Sequence, residues 1–195
     1  VTGLGSGKWV RSFIAFDIIN EEVLQGLTQM QKLLIETGND LKVVEAANIH
    51  VTLRFLGELS PDLIESVGEE MAKVVFKPFK IELRGLGVFK DFRYITVVWV
   101  GIGRGVDELR IVYNQLEPRL RKLGIRPDDK GFSPHITIAR VMAVHNRERL
   151  VNLVKGNAEH VFGIFEGNSL RLKKSVLTPM GPVYSTLKEV RPIEG

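Results

Sequence analysis

Residues 48–59, NIHVTLRFLGEL, alternate as a half-buried strand does. By strict period two, Ile49, Val51, Leu53 and Phe55 fall on one side, and His50, Thr52 and Arg54 on the other. The tetrad of His, aliphatic, Thr, aliphatic returns 85 residues later in FSPHITIARV at 132–141. A single His-x-Thr pair in a strand is an ordinary surface or satisfied feature. Two copies, using two of only four histidines, point to a repeated half-site.

The flanking sequence supports the repeat. RSFIAFDI (11–18) has the aromatic and β-branched content of a strand. Asn20 then caps a predicted helix with Val23, Leu24, Leu27, Met30 and Leu34 on one face. After the first His-x-Thr strand, Ser60 and Pro61 open a second helix over SPDLIESVGEEMAKVV, with a stripe of Leu63, Ile64, Val67, Met71, Val74 and Val75. In the second half, FKIELRGLGVF (79–89) and YITVVWV (94–100) read as a hairpin turning at 90–93. A helix striped by Leu109, Val112, Leu116, Leu120 and Leu123 follows, tolerating Pro118. The second His-x-Thr strand, a short helix over 147–156 and two strands around the turn PMGP complete the order. Ile14 precedes His50 by 36 residues and Ile95 precedes His135 by 40, so the plan is strand, helix, His-x-Thr strand, helix, given twice. The predicted fold class is α+β: two pseudo-symmetric lobes of mainly antiparallel sheet, helices on the outer faces and a site in the central cleft. Residues 1–9 read as a loose extension and 10–195 as a single bilobal domain.

Composition narrows the chemistry. The 195 residues contain no cysteine, which excludes disulfides, iron–sulfur clusters, thiol nucleophiles and cysteine zinc sites. The net charge of +4 suits a phosphate-rich ligand or RNA. No apolar run reaches the length of a membrane span and no signal-peptide core is seen, so the expected setting is cytoplasmic. Two glycine-rich stretches are decoys. GLGSGK (3–8) lacks the first glycine of a phosphate-binding loop and has Trp9 where Ser or Thr belongs. VWVGIGRGVDEL (98–109) has Val106 where a dinucleotide-binding fingerprint needs its third glycine, and reads as a strand-to-helix turn.

On a strand, each tetrad aims one imidazole and one hydroxyl the same way. Two such strands facing one another would gather two imidazoles and two hydroxyls in a cleft. One neutral and one protonated histidine suit concerted proton transfer, and threonine hydroxyls can donate to the non-bridging oxygens of a phosphate. That is the logic of metal-free phosphodiester chemistry, and no third histidine or carboxylate has metal-ligand spacing to either motif.

FIAFDI, IHVTLRFLGEL, PHITIARV and the closing LTPMGPVYSTL together resemble the 2H phosphoesterase superfamily, from about Val10 to the C-terminus. The branch they are most similar to is that of bacterial and archaeal RNA 2′,3′-cyclic phosphodiesterases, historically called 2′-5′ RNA ligases. The resemblance implies a bilobal, cofactor-free enzyme, expected to be monomeric, that opens an RNA-terminal 2′,3′-cyclic phosphate to a 2′-phosphate. In some members it implies reversible 2′-5′ joining of tRNA halves by the same site. Carried onto this chain, His50 would protonate the leaving 3′ oxygen, His135 would activate water, and Thr52 and Thr137 would hold the phosphate. The resemblance adds Arg140 as a phosphate ligand and Phe55 as a base-stacking side chain. Strict alternation opposes both, because it turns them away from their histidines unless the strands bulge. Arg54 has the parity for the cleft and is the rival phosphate ligand. A binding module for RNA ends without turnover is the competing reading, disfavoured because binding a phosphate does not require two titratable histidines.

Overall fold

Strands β1 (Val10–Asp17) and β3 (His50–Leu59) pair antiparallel at the heart of one sheet. Strands β5 (Ile95–Ile102) and β6 (His135–Ala143) pair in the same sense in the other. In this computed structural model, which describes residues 8–128, 131–179 and 181–193, each His-x-Thr strand lies beside a strand that precedes it across a helix, β3 beside β1 and β6 beside β5. The first sheet has the order β3-β1-β8-β9, completed by β8 (Leu170–Thr178) and β9 (Gly181–Val190). The second has the order β2-β6-β5-β4-β7, with β2 (Asp40–Val43), β4 (Phe79–Lys90) and β7 (Val161–Gly167). All pairings are antiparallel. The fold is α+β, as the alternation of strand and helix patterns predicts.

The sheets do not divide the chain into halves. β2 comes from the first repeat yet edges the second sheet, and β8 and β9 come from the C-terminus yet complete the first. The helices cross over similarly. Helix α1 (Glu21–Glu36), capped by the Asn20 side chain at Val23 N, packs on β7, β2 and β6. Helix α3 (Val106–Lys122) follows β5 but packs beside β3 and against α2 (Pro61–Met71). Helix α4 (Arg147–Gly156) lies on β4. The buried side chains of both sheets and all four helices form one continuous core, from Ile14, Phe16 and Val51 to Ile136, Ile138 and Leu150.

Several expectations meet a physical correction. Helix α2 ends at Met71 rather than at Val75. The backbone N–H and C=O of Val75 pair with the side-chain amide of Gln115 on α3, at 3.0 and 2.8 Å, in place of helical bonds. Val74 stays buried while Val75 is exposed. Strands β2 and β7 have no counterpart in the sequence reading. The glycine turn at 101–105 is the expected strand-to-helix corner: Gly105 caps α3 at φ 95°, and an added Cβ would sit 2.6 Å from the Lys80 carbonyl. Of the expected N-terminal extension, Lys8 and Trp9 are exposed ahead of β1, and residues 1–7 lie outside the described residues, as does Met180 of the PMGP turn.

Candidate active site

Both His-x-Thr strands break their alternation at the same step. In β3, Thr52 pairs with Ala15 and Arg54 with Ile14, so Leu53 has no partner of its own and Leu53 and Arg54 both turn inward. In β6, Thr137 pairs with Trp99 and Ala139 with Val98, leaving Ile138 extra; Ile138 and Ala139 are both buried. A bulge of one residue flips every side chain beyond it. The residue five places after each histidine, Phe55 or Arg140, is thereby returned to the histidine's face. This resolves the parity conflict raised by alternation alone.

A cavity of about 540 Å³ lies where the two faces meet. His50, Thr52 and Phe55 line it from the first sheet, and His135, Thr137 and Arg140 from the second. Phe55 is 60% exposed and lines the cavity. Apart from Asn48 in the 3₁₀ turn at Ala46–Asn48, no described helical residue reaches the cavity, so the helices occupy the outer faces.

The two imidazoles are oriented identically. His50 Nδ1 lies 2.7 Å from the Asn48 carbonyl, and His135 Nδ1 lies 2.8 Å from the Ser133 carbonyl, each two residues upstream. A carbonyl can only accept, so Nδ1 carries the proton in both rings and Nε2 is the nitrogen available to the cleft. Their surroundings differ. The His50 ring stacks on Phe13 at 4.8 Å between centroids and meets the edge of Tyr184 at 5.3 Å. The His135 ring meets Phe89 edge-on at 4.8 Å.

Burial pushes the His50 pKa down to about 4, and the positive charge of Lys173 adds to it against the opposing pull of the Asn48 carbonyl and Asp17. Burial also lowers His135, with the Ser133 carbonyl opposing. Both shifts favour the neutral ring near pH 7. Behind His50, its cross-strand partner Asp17 accepts bonds of 2.6 Å from both Lys173 and Arg171. Burial would raise the Asp17 carboxyl, but these two cations outweigh it and hold it ionised.

Arg54 is not in the cleft. It is 6% exposed, and its Nε donates to Glu117 of α3 at 2.8 Å, so the sequence-based placement as a phosphate ligand is corrected by the bulge that turns it inward. Conversely, the sequence reading passed over cleft residues that the structure supplies. Phe13 and Tyr184 lie inside the family-like stretches FIAFDI and LTPMGPVYSTL, where their aromatic character was the available signal. Lys42 lies on β2 opposite Arg140, and Arg11 on β1; a four-residue polar edge strand leaves no periodic trace that would have revealed Lys42. His145 and His160 do not line the cavity. Among the described residues, no group of three or more His, Asp or Glu side chains could hold a metal ion, and no helix is long and apolar enough to cross a membrane.

Two facing sheets each present one His-x-Thr strand to a shared cleft. The family model described as LigT like phosphoesterase matches residues 18–99 and 102–184, and the chain belongs to that family. It is 41% identical over 165 residues to the RNA 2′,3′-cyclic phosphodiesterase of Aeropyrum pernix, covering 85% of this chain and 94% of the relative. It is 35% identical over 182 residues to the protein of the same description from Archaeoglobus fulgidus, covering 92% and 98%. A solved structure from Thermus thermophilus superposes with a TM-score of 0.76 at 27% identity, covering 93% of this chain and 97% of that one. Escherichia coli LigT, solved with 3′-AMP, shares the fold at a TM-score of 0.77 and 23% identity, covering 96% and 100%.

Proposed function

We propose that this protein hydrolyses the 2′,3′-cyclic phosphate at an RNA 3′ end to a 2′-phosphate, without a metal, by two-histidine acid–base catalysis. The observation that carries the reading is the matched pair of imidazoles, each with Nδ1 pinned by a backbone carbonyl and Nε2 left to one cleft. Family membership and the activity for which the relatives are named support the substrate class.

In this reading His135 Nε2 takes a proton from water as its oxygen attacks phosphorus. The P–O3′ bond breaks, and His50 delivers a proton from Nε2 to the leaving 3′ oxygen. Thr52 and Thr137 donate to the non-bridging oxygens, and Arg140 balances the charge that builds on them. His50 must be protonated to act, yet burial favours its neutral form; the arriving phosphate anion supplies the negative charge that favours its imidazolium. Phe55, exposed at the rim, stacks on the terminal base. With an RNA 5′-hydroxyl in the place of water, the same groups would form a 2′-5′ linkage between RNA pieces such as tRNA halves, and would cleave it in reverse. The start of β1 at Val10 and the single continuous core support one bilobal domain from there onward, working as a cytoplasmic monomer.

The test is incubation with an RNA ending in 2′,3′-cyclic phosphate, EDTA present, followed by analysis of the product end. A terminal 2′-phosphate with a free 3′-hydroxyl is expected. Affinity without turnover would replace the reading with that of a binding module, and activity lost in EDTA but restored by a divalent ion would replace it with metal-assisted hydrolysis.

A further inference from the structure

We infer that Arg54 and Glu117 form a buried positioning pair that ties the first His-x-Thr strand to the loop preceding the strand of the second histidine. The inference rests on the reading above only for the roles of Phe55 and His135. Arg54 uses each arm of its guanidinium on a different element. Nε donates to Glu117 Oε2 on α3 at 2.8 Å. Nη1 donates to the carbonyl of Phe55, the residue that the bulge turns into the cleft. Nη2 donates to the carbonyl of Arg126, in the loop between α3 and β6. Glu117 completes the connection: its Oε1 accepts from Arg121 Nε at 3.2 Å and from the backbone N–H of Asp128 at 3.4 Å, in that same loop. Ser133, whose carbonyl fixes the His135 ring, lies seven residues after Arg126 in the sequence.

The equivalent site in the second motif shows what is special here. Ala139 occupies the position matching Arg54, buried, with no side chain to bond anything. A bulge of this kind therefore needs only a small inward residue. An arginine at 6% exposure, with its desolvation cost, is not explained by the bulge alone. Its three acceptors lie on the strand holding Thr52 and Phe55, on the outer helix α3, and on the approach to His135, so the pair sets the first half-site relative to the second. Glu117 is held ionised: burial would raise its carboxyl, but the bonds from Arg54 and Arg121 outweigh that.

The experiment compares R54K, E117Q and the double variant R54M/E117M, the last removing both buried charges together so that neither is left unpaired. Lysine keeps the charge but cannot serve three acceptors as a planar fork does. We expect folded proteins whose kcat/KM for cyclic-phosphate RNA falls by about 10-fold in R54K and E117Q and about 10²-fold in the double variant, with kcat lowered and KM raised together. Crossed with F55L, R54K should be clearly non-additive, because part of its effect passes through Phe55. In ligand-free protein, the imidazole NMR signals of His135 should shift in R54M/E117M while those of His160 stay in place. A double variant with wild-type kinetics, an additive cycle, or unmoved His135 signals would each reduce the pair to a structural element and overturn the inference. Wild-type protein inactive on cyclic-phosphate RNA would instead overturn the proposed function, and the His135 signals would still decide the tie.

Discussion

Beyond the bulge of β3 stand Arg54 and Phe55; beyond the matching bulge of β6 stand Ala139 and Arg140. The cross-strand partner of His50 is Asp17, bound to Lys173 and Arg171, whereas that of His135 is Gly101. The repeated backbone delivers the same three positions to the cleft from both sides, namely a histidine, a threonine and the residue five beyond the histidine. What differs is the neighbourhood. An apolar and charged shell depresses His50 to about 4, while His135 is lowered by burial without a charged neighbour contributing. The cleft thus has a symmetric frame and asymmetric surroundings; burial favours the neutral form of both rings, so the acid role proposed for His50 depends on the negative charge that a bound phosphate brings.

Truncating the histidines tests that division most strongly. His50→Ala and His135→Ala should each lower turnover by about 10²–10⁴-fold, the range for losing one general acid or base. The double variant should be far less than multiplicatively worse, because the pair acts as a unit. Full activity in either single variant, measured with cyclic-phosphate RNA, would break the equivalence of the two half-sites.

The threonines should show the symmetry of the frame. Thr52→Val and Thr137→Val are expected to lose roughly 1–3 kcal/mol of transition-state stabilisation each, with little change in melting temperature. Thr→Ser should be milder. Wild-type kinetics in both valine variants would remove the hydroxyls from the phosphate site.

The positions beyond the bulge should show the asymmetry. Phe55→Leu keeps apolar volume but cannot stack, so substrate binding should weaken by roughly 1–3 kcal/mol with nearly unchanged melting. Its 60% exposure argues against a core role, for which melting would fall instead. Arg140→Met should lower kcat more than it raises KM, because a cation beside the phosphate matters most as charge develops. Kinetic constants for both variants on one substrate would separate a base contact from a phosphate contact.

Much of this was legible in the sequence, and the limits are instructive. The paired tetrads, the caps at Asn20 and Ser60 and the helical stripes are local signals, and the structure keeps them except at the stripe ends Val74, Val75 and Leu123, which lie beyond their helices. The sequence cannot display a register shift. Leu53 and Ile138 are ordinary strand residues, and only their lack of a cross-strand partner reveals the bulges that exchange Arg54 for Phe55 at the cleft. The crossover of β2, β8 and β9 between the sheets was hidden for a related reason, because pairing partners are chosen at long range. Lys42 and Tyr184 enter the site through those strands.

The most gradual effect concerns pH, and it probes the depressed titration of His50 directly. Its folded pKa is about 4 and its unfolded value is near 6.5, so between those values the unfolded chain binds more protons. Stability is then fully present above about pH 6.5 and declines as pH falls toward 4, by of order 1–3 kcal/mol from this group. His50→Gln removes the group and should flatten that part of the pH–stability curve, as measured by denaturant unfolding from pH 4 to 7. His135→Gln should flatten it less if the asymmetry of the two environments holds. The same depression should be visible in catalysis. The alkaline limb of kcat/KM, reporting the empty enzyme, should fall at lower pH than the limb of kcat, because bound phosphate raises His50. Coincident limbs would mean that the substrate does not change the proton affinity of His50, and that the asymmetry between the half-sites has no part in its role as acid.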